Sequence, residues 1–460
     1  MNDIRRTILW VIFGFSMVLL WDQWQVYNGN KATFFPNSAQ KTAPAAAGAA
    51  GPAPAASDAG VPHAVVQAGA APASVASVAP AAPKERFEVT TDVLKLTFDT
   101  EGGSLVRAEF LKYSDMSDKS RNFVLLDDSK DRIYMAQSGV VAGATGGSYP
   151  THKTVMAVSG ERSLKDGVNE MTIKFSSPDV GGIKLVKTYT LRRGAYDVAV
   201  KHELTNTSAA PIAPQLYLQL VRDGNKPAGE SSFYSTFTGP AVYTEAKKYQ
   251  KVEFADIKKK KVDVEKEASN GYIAMVQHYF ASAWILPDGM QRSLSLDAVD
   301  IGASVPDCCY RATMVAPLES IAPGATKAVE AKFFAGPQEE KMLESLTPGL
   351  ELVKDYGWLT ILAKPLYWLL DKLHSFIQNW GWSIVALVLL LKIAFYWLNA
   401  KAYASMAKMK AVNPKIMEMR ERLKDNPQQM QQEMMKIYRE ENVNPMGGCF
   451  PIMIQIPVFI

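Results

Sequence analysis

One lysine interrupts the most apolar stretch of this chain of 460 residues. Lys392 lies in the run Trp382 to Leu398, where every other residue from Ile384 onward is apolar or aromatic. With its flanks the run reaches the roughly 20 residues a helix needs to cross a bilayer. A lysine at the centre of a bare membrane helix costs roughly 2.5–3.5 kcal/mol on insertion scales, so such residues usually face a protein interior or a water-filled cavity. Snorkelling to an interface, or pairing with a carboxylate on a neighbouring helix, is the competing explanation. Against snorkelling, Lys392 stands about ten residues, or about 15 Å at helical rise, from either flank. A wet cavity part-way through a membrane is the expectation.

The composition closes several other routes. A formal charge of +4 is small for this length, and the basic run Lys258 to Lys261 is flanked by Asp256, Asp263 and Glu265, as in a solvated loop. No specific nucleic-acid recognition is expected. Three cysteines, of which Cys308 and Cys309 are adjacent, build no disulfide framework, and neighbouring cysteines seldom bridge without strain. The five histidines, at 63, 152, 202, 278 and 374, show no ligand spacing, so neither a metal nor a cofactor is expected. No nucleophile elbow or phosphate loop occurs. A Ser-Lys hydrolase fails on distance, since Ser383 precedes Lys392 by about 13 Å along a helix. The chain does not read as an enzyme.

Arg5 and Arg6, the apolar stretch Ile8 to Leu20 and the tryptophans at 21 and 24 read as an uncleaved signal-anchor over residues 1–24, because no small-x-small pattern follows the apolar core directly. Its basic end belongs in the cytoplasm. Residues 25–85 are largely Ala, Pro, Gly, Ser and Val, a composition that buries too little to order itself and reads as a flexible periplasmic linker. From 86 to 346 the period changes to two. Tyr196, Val198, Val200, His202 and Leu204 alternate with polar or small residues, Leu216, Leu218 and Leu220 repeat the pattern, and Gly, Asp and Pro punctuate short runs throughout. This is an all-β sandwich. A membrane-anchored glycan-binding or sugar-modifying β-sandwich protein is the alternative function that such a layout leaves open.

Within residues 347–379, Leu362, Leu366, Leu369, Leu373 and Phe376 recur at helical spacing, while charges on other faces rule out a span. Trp358, Trp368, Trp380 and Trp382 suit an amphipathic helix lying on the outer membrane surface. Residues 380–398 form the transmembrane helix carrying Lys392, and the basic stretch that follows marks the cytoplasmic side. Residues 399–443 read as a helical hairpin turning at Asp425-Asn426-Pro427. Met406, Lys408, Met409, Lys415, Arg420, Arg422, Met430 and Met434 make its candidate docking surface for a nascent chain or its ribosome, since methionine accepts varied apolar partners. Packing between the hairpin helices is the competing role for each methionine. Residues 444–460 begin a further apolar helix whose dozen or so apolar residues fall short of a span, so the expectation is a chain that continues.

The chain contains Asn379-Trp-Gly-Trp-Ser383, Ser405-Met-Ala-Lys-Met409, Pro414-Lys-Ile416, Met419-Arg-Glu-Arg422, Gln432-Glu-Met-Met435, Asn444-Pro-Met-Gly-Gly-Cys-Phe-Pro451 and Gln455-Ile-Pro-Val-Phe459. On these motifs, in this order, it resembles the bacterial branch of the YidC/Oxa/Alb membrane protein insertase family. The likeness extends to the Gram-negative layout of anchor, linker and large β domain. The resemblance implies a multi-pass inner-membrane protein with a cytoplasmic N-terminus, a periplasmic super-sandwich without sugar-epimerase activity, and an α-helical core. That core holds a hydrophilic groove open to cytoplasm and lipid and closed to the outside. At the groove's single positive position this chain has Lys392, where relatives commonly have arginine. Val388 stands where some relatives carry threonine, and Gln455, Ile456 and Phe459 are implied to line the next span. Trp397 replaces a frequent proline. Implied partners are nascent membrane proteins, the ribosome, SecYEG and SecDF translocon components and the lipid bilayer.

Overall fold

The computed structural model describes residues 60–62, 84–143, 148–227, 236–356, 360–423 and 427–441. The expected anchor, most of the expected linker and the expected further span with Gln455, Ile456 and Phe459 lie outside them. The chain divides into two compact units, Met1–Ser57 and Asp58–Ile460, and every described residue belongs to the second.

Alternating patterns become two nine-stranded antiparallel sheets among the described residues. The first runs in the order β1 (Arg86–Thr90), β2 (Leu94–Asp99), β3 (Ser104–Ser114), β4 (Asn122–Asp128), β5 (Ile133–Ala142), β10 (Pro214–Arg222), β17 (Tyr310–Pro317), β16 (Arg292–Ala298) and β13 (Glu267–Ala268). The second runs β12 (Lys248–Lys251), β11 (Thr238–Thr244), β14 (Tyr272–Gln277), β15 (Phe280–Ile285), β18 (Thr326–Pro337), β9 (Asp197–Asn206), β8 (Ile183–Arg192), β7 (Glu170–Ser176) and β6 (Ala157–Gly160).

In β9, Val198, Val200, His202 and Leu204 are buried while Ala199, Lys201 and Glu203 face outward, as their period requires. Strand β10 is buried at every position. Leu216, Leu218 and Leu220 enter the core between the sheets, whereas Tyr217 and Val221 lie in two small apolar clusters on the opposite face. Polar groups tie the layers together. Trp284 of β15 packs on Phe333 and donates its indole N–H to the Gln219 carbonyl of β10 at 3.1 Å. The Tyr134 hydroxyl of β5 reaches the Met275 carbonyl at 3.2 Å and Ser282 Oγ at 2.7 Å. Buried polar atoms satisfied across the layers hold the two sheets in one register.

The core runs past residue 346, where the sequence pattern ended it. The helix Glu340–Leu346 and the 3₁₀ turn Leu350–Val353 contribute Leu343, Leu350 and Val353 to the same apolar cluster. Gly349, at φ +86°, lets the turn lie on the Tyr243 ring, where a β-carbon would meet ring atoms at 2.4 Å. Its carbonyl accepts from the Tyr272 hydroxyl at 2.8 Å. The basic run is solvated as expected: Lys258 ends a short helix and pairs with Asp307 at 3.2 Å, and Lys259 to Lys261 are exposed. Cys308 and Cys309 lie side by side just before β17.

A buried polar group sits inside the sandwich. Lys187 of β8 is fully enclosed and donates to the Gly102 and Ser138 carbonyls, each at 2.6 Å. Ser138 Oγ lies 2.9 Å from His202 Nε2, and His152 Nδ1 lies 2.7 Å from the Tyr217 hydroxyl. Burial lowers Lys187 to about 7. Burial, with the Lys187 charge second, lowers both His152 and His202 to about 3. Unfolded histidine takes its proton near 6.5, so between pH 6.5 and 3 the unfolded chain binds more protons and stability falls as pH drops. The expected loss from neutral pH to pH 5 is about 2 kcal/mol per histidine. His202→Gln should remove one such increment when unfolding of the β strands is followed by amide exchange at pH 7 and 5. An unchanged pH slope in the variant would contradict the assignment.

Candidate functional site

Helix Thr360–Ile377 has no buried residue. Ile361, Trp368 and Phe376 are largely exposed, while Leu366, Leu369 and Leu373 are half-covered. Its middle, at Tyr367 and Asp371, is fastened to the end of the β domain. Lys341 pairs with Asp371 at 2.7 Å, Lys354 sits 3.8 Å from the Tyr367 ring centroid, and Tyr356 donates its hydroxyl proton to Glu340 at 2.8 Å. At the helix's C-terminal end Gln378, at φ +56°, turns the chain, and His374 stacks on Trp380 with centroids 3.7 Å apart.

Asn379 then caps the helix Trp380–Ala394, its side-chain oxygen accepting from the Trp382 N–H at 3.2 Å. Ser383 Oγ donates to the Asn379 carbonyl at 2.7 Å, which satisfies the helix's only buried polar side chain. The helix-length run read from Trp382 to Leu398 is divided at Phe395, and the helix Tyr396–Arg422 leaves at 61° to the first. Among the described residues no single helix is long and apolar enough to cross a membrane; this bent pair passes the same test together, by length and composition. Fifteen residues of helix span about 22 Å, short of a hydrocarbon layer of about 30 Å.

Lys392 is exposed one turn after half-buried Val388, three residues before the break. Around them Ile384, Val385, Leu389, Leu390, Ile393, Tyr396 and Trp397 are exposed too. The helix packs through Trp380 and Ser383 at its start, and the apolar side chains that it leaves exposed further along suit lipid. Lys401, one turn past the break, lies 3.7 Å from the Trp397 ring centroid.

The basic region folds as an antiparallel helical hairpin, Tyr396–Arg422 against Pro427–Glu440. Two ion pairs fix the register, Lys415 with Glu441, and Arg422 with Glu433 at 2.8 Å. Val412, Ile416 and Met419 are buried, and Met409, Leu423, Met430, Met434, Ile437 and Tyr438 pack on them. Three of the four candidate docking methionines, Met409, Met430 and Met434, therefore lie in the seam of the hairpin. Met406, Lys408 and Arg420 stay exposed, while Lys415 and Arg422 are engaged in the ion pairs. Met417 and Met435, each more than half exposed, lie on the outer surface. Both fall outside the apolar stripe, and that departure from the period was the available signal.

Seam and surface should separate by mutation. Met419→Ala should destabilise the hairpin by about 2–3 kcal/mol, and Met417→Ala by less than about 0.5 kcal/mol. Proteolysis within residues 396–441 reads both, and equal effects would contradict this packing.

Comparison with known proteins supplies the rest. The family described as YidC periplasmic domain matches residues 86–369, and the family described as 60Kd inner membrane protein matches residues 372–460. "Membrane protein insertase YidC" of Cupriavidus necator is 50% identical over 466 aligned positions, covering 100% of this chain and 80% of that protein. The proteins of the same name from Ralstonia nicotianae and Bordetella parapertussis are each 49% identical with the same coverage. Among solved structures, a putative aldose 1-epimerase from Escherichia coli K12 aligns at 9% identity and a TM-score of 0.33, over 55% of this chain and 100% of that one. A likeness that slight supports no statement about fold or activity. Two family matches that together cover the β domain and the helices, and relatives half identical along the whole chain, identify this inner-membrane protein with its periplasmic β domain as a member of the YidC family of membrane protein insertases.

Proposed function

We propose that this chain moves apolar segments and their short polar flanks from the cytoplasm into the inner membrane, without making or breaking covalent bonds, through a groove that holds Lys392. The observation that carries the reading is the place of Lys392, exposed beside Val388 and three residues before the 61° break. With Trp380 and Trp382 at the outer interface, where aromatic residues settle, helical rise carries Lys392 about 18 Å inward. That is past the midplane of a hydrocarbon layer of about 30 Å. A cation at this depth stays hydrated when the groove opens towards the cytoplasm. It shortens the hydrocarbon path of a polar flank and attracts acidic residues on it, while the apolar faces of the same helix guide the segment into lipid. Gln455, Ile456 and Phe459 line the neighbouring span in this reading.

The arrangement in the membrane follows the charges. Residues 1–24 anchor a cytoplasmic N-terminus, the β domain lies in the periplasm, the helix Thr360–Ile377 rests on the outer surface, and the basic hairpin lies in the cytoplasm. Met406, Lys408 and Arg420 on the hairpin's outside meet the ribosome or the emerging chain. SecYEG and SecDF are the translocon partners of this reading. The glycan-binding alternative finds little support. In one cleft of the first sheet, about 470 Å³, Lys84, Arg86, Asp99, Glu101 and Asp128 are paired with one another, beside His152 and Lys153.

In the full-length protein, Lys392→Leu should reduce insertion of substrates with acidic flanks several-fold, and Lys392→Arg should preserve it. Protease protection of a radiolabelled substrate in inverted vesicles measures both. Equal insertion by the two variants would rule out a role for the charge.

A further inference from the structure

Gly60, Val61 and Pro62 lie inside the stretch whose composition reads as unstructured linker, yet Gly60 and Pro62 are buried and Val61 is half-buried. They rest on the face of the first sheet that points away from the second. The Gly60 carbonyl accepts two hydrogen bonds, from Arg311 Nη1 at 2.9 Å and from Gln219 Nε2 at 3.2 Å. Both donors are buried and belong to the adjacent strands β10 and β17. Each is held in position by a second partner. Asp297 grips Arg311 with contacts of 3.0 and 2.5 Å, and the Gln137 side chain accepts from Gln219 at 2.7 Å. Val61 packs against Val141, Tyr217 and Val315, of which Tyr217 is fully buried.

Each of the three residues has a reason to be there. Gly60 adopts φ +97°, which favours glycine. Val61 supplies the apolar contact. Pro62 fixes an extended backbone and brings no N–H in need of a partner. The guanidinium bond to a carbonyl in a covered site is the stronger part of the recognition.

We propose that this face of the first sheet is a binding site for an extended Gly-Val-Pro segment, occupied by the chain's own linker at residues 60–62. Docking divides the linker in two. If residues 1–24 are the membrane anchor, as the proposed function has them, the stretch between anchor and first attachment ends at Gly60, and the greatest length it could span falls from about 210 Å to about 120 Å. The docking itself does not depend on that anchor or on insertase activity.

Thiol reactivity in the full-length, membrane-embedded protein tests it. Val61→Cys and, separately, Ala45→Cys are alkylated with a charged maleimide, and rates are read peptide by peptide by mass spectrometry so that the native cysteines do not interfere. The thiol placed at position 61 should react at least tenfold more slowly than the one at 45. Adding Arg311→Ala or, should that chain misfold, Gln219→Ala should bring the two rates together. Equal rates in the otherwise unaltered chain would overturn the proposal, and so would slow reaction at 61 that neither groove variant relieves.

Discussion

In the function proposed for this protein, the cost of keeping a charge in hydrocarbon, roughly 2.5–3.5 kcal/mol for a central lysine, governs its helical end. Nothing in the described structure neutralises Lys392: its neighbours are Val388, Leu389 and Ile393, and no carboxylate pairs with it. The short helix that carries it is capped at Asn379 and broken at Phe395. The bend turns a run of span-like composition into a helix of about 22 Å followed by a basic hairpin. In the proposed function, the short apolar helix and the charge next to its break leave water at one end of the path and lipid along its side, which is what passing a polar flank into a membrane requires.

The β domain answers a different demand. Its two sheets share one apolar core and are tied by Trp284, Tyr134 and Lys187, so it is a rigid body rather than a reactive one. The burial of Lys187, His152 and His202 makes the fold sensitive to acid. Rigidity continues through Leu343, Leu350 and Val353 into the ion pair between Lys341 and Asp371, which fastens the surface helix to the domain. The bound linker residues on the opposite face of the first sheet give the domain a second attachment to its own chain.

Much of this was legible in the residues. The alternation of β9 reports one covered face, and four of the seven motifs of the family resemblance, at 405–409, 414–416, 419–422 and 432–435, sit in the two helices of the hairpin. What escaped the sequence did so for physical reasons. Strand β10 alternates Leu216, Leu218 and Leu220 with residues that look surface-facing, but Val61, Val305 and their neighbours cover that second face from distant parts of the chain. The break at Phe395 has no proline or glycine to announce it. Methionines 409, 419, 430 and 434 are chemically identical to Met417 and Met435, and only the packing of two helices decides which are seam and which are surface. The docking of Gly60 to Pro62 depends on Arg311 and Gln219, more than 150 residues away, and a low-complexity composition conceals it.

The central claim is that the surface bearing Lys392 handles the incoming segment. A photo-crosslinker at Val388 of the full-length protein, challenged with ribosome-bound chains that expose a single apolar segment, tests it most directly. The account requires an adduct that appears only over a window of nascent-chain lengths, as the segment passes the groove. Absence of any adduct at every length, in folded and correctly oriented protein, would contradict it and leave this helix an anchor.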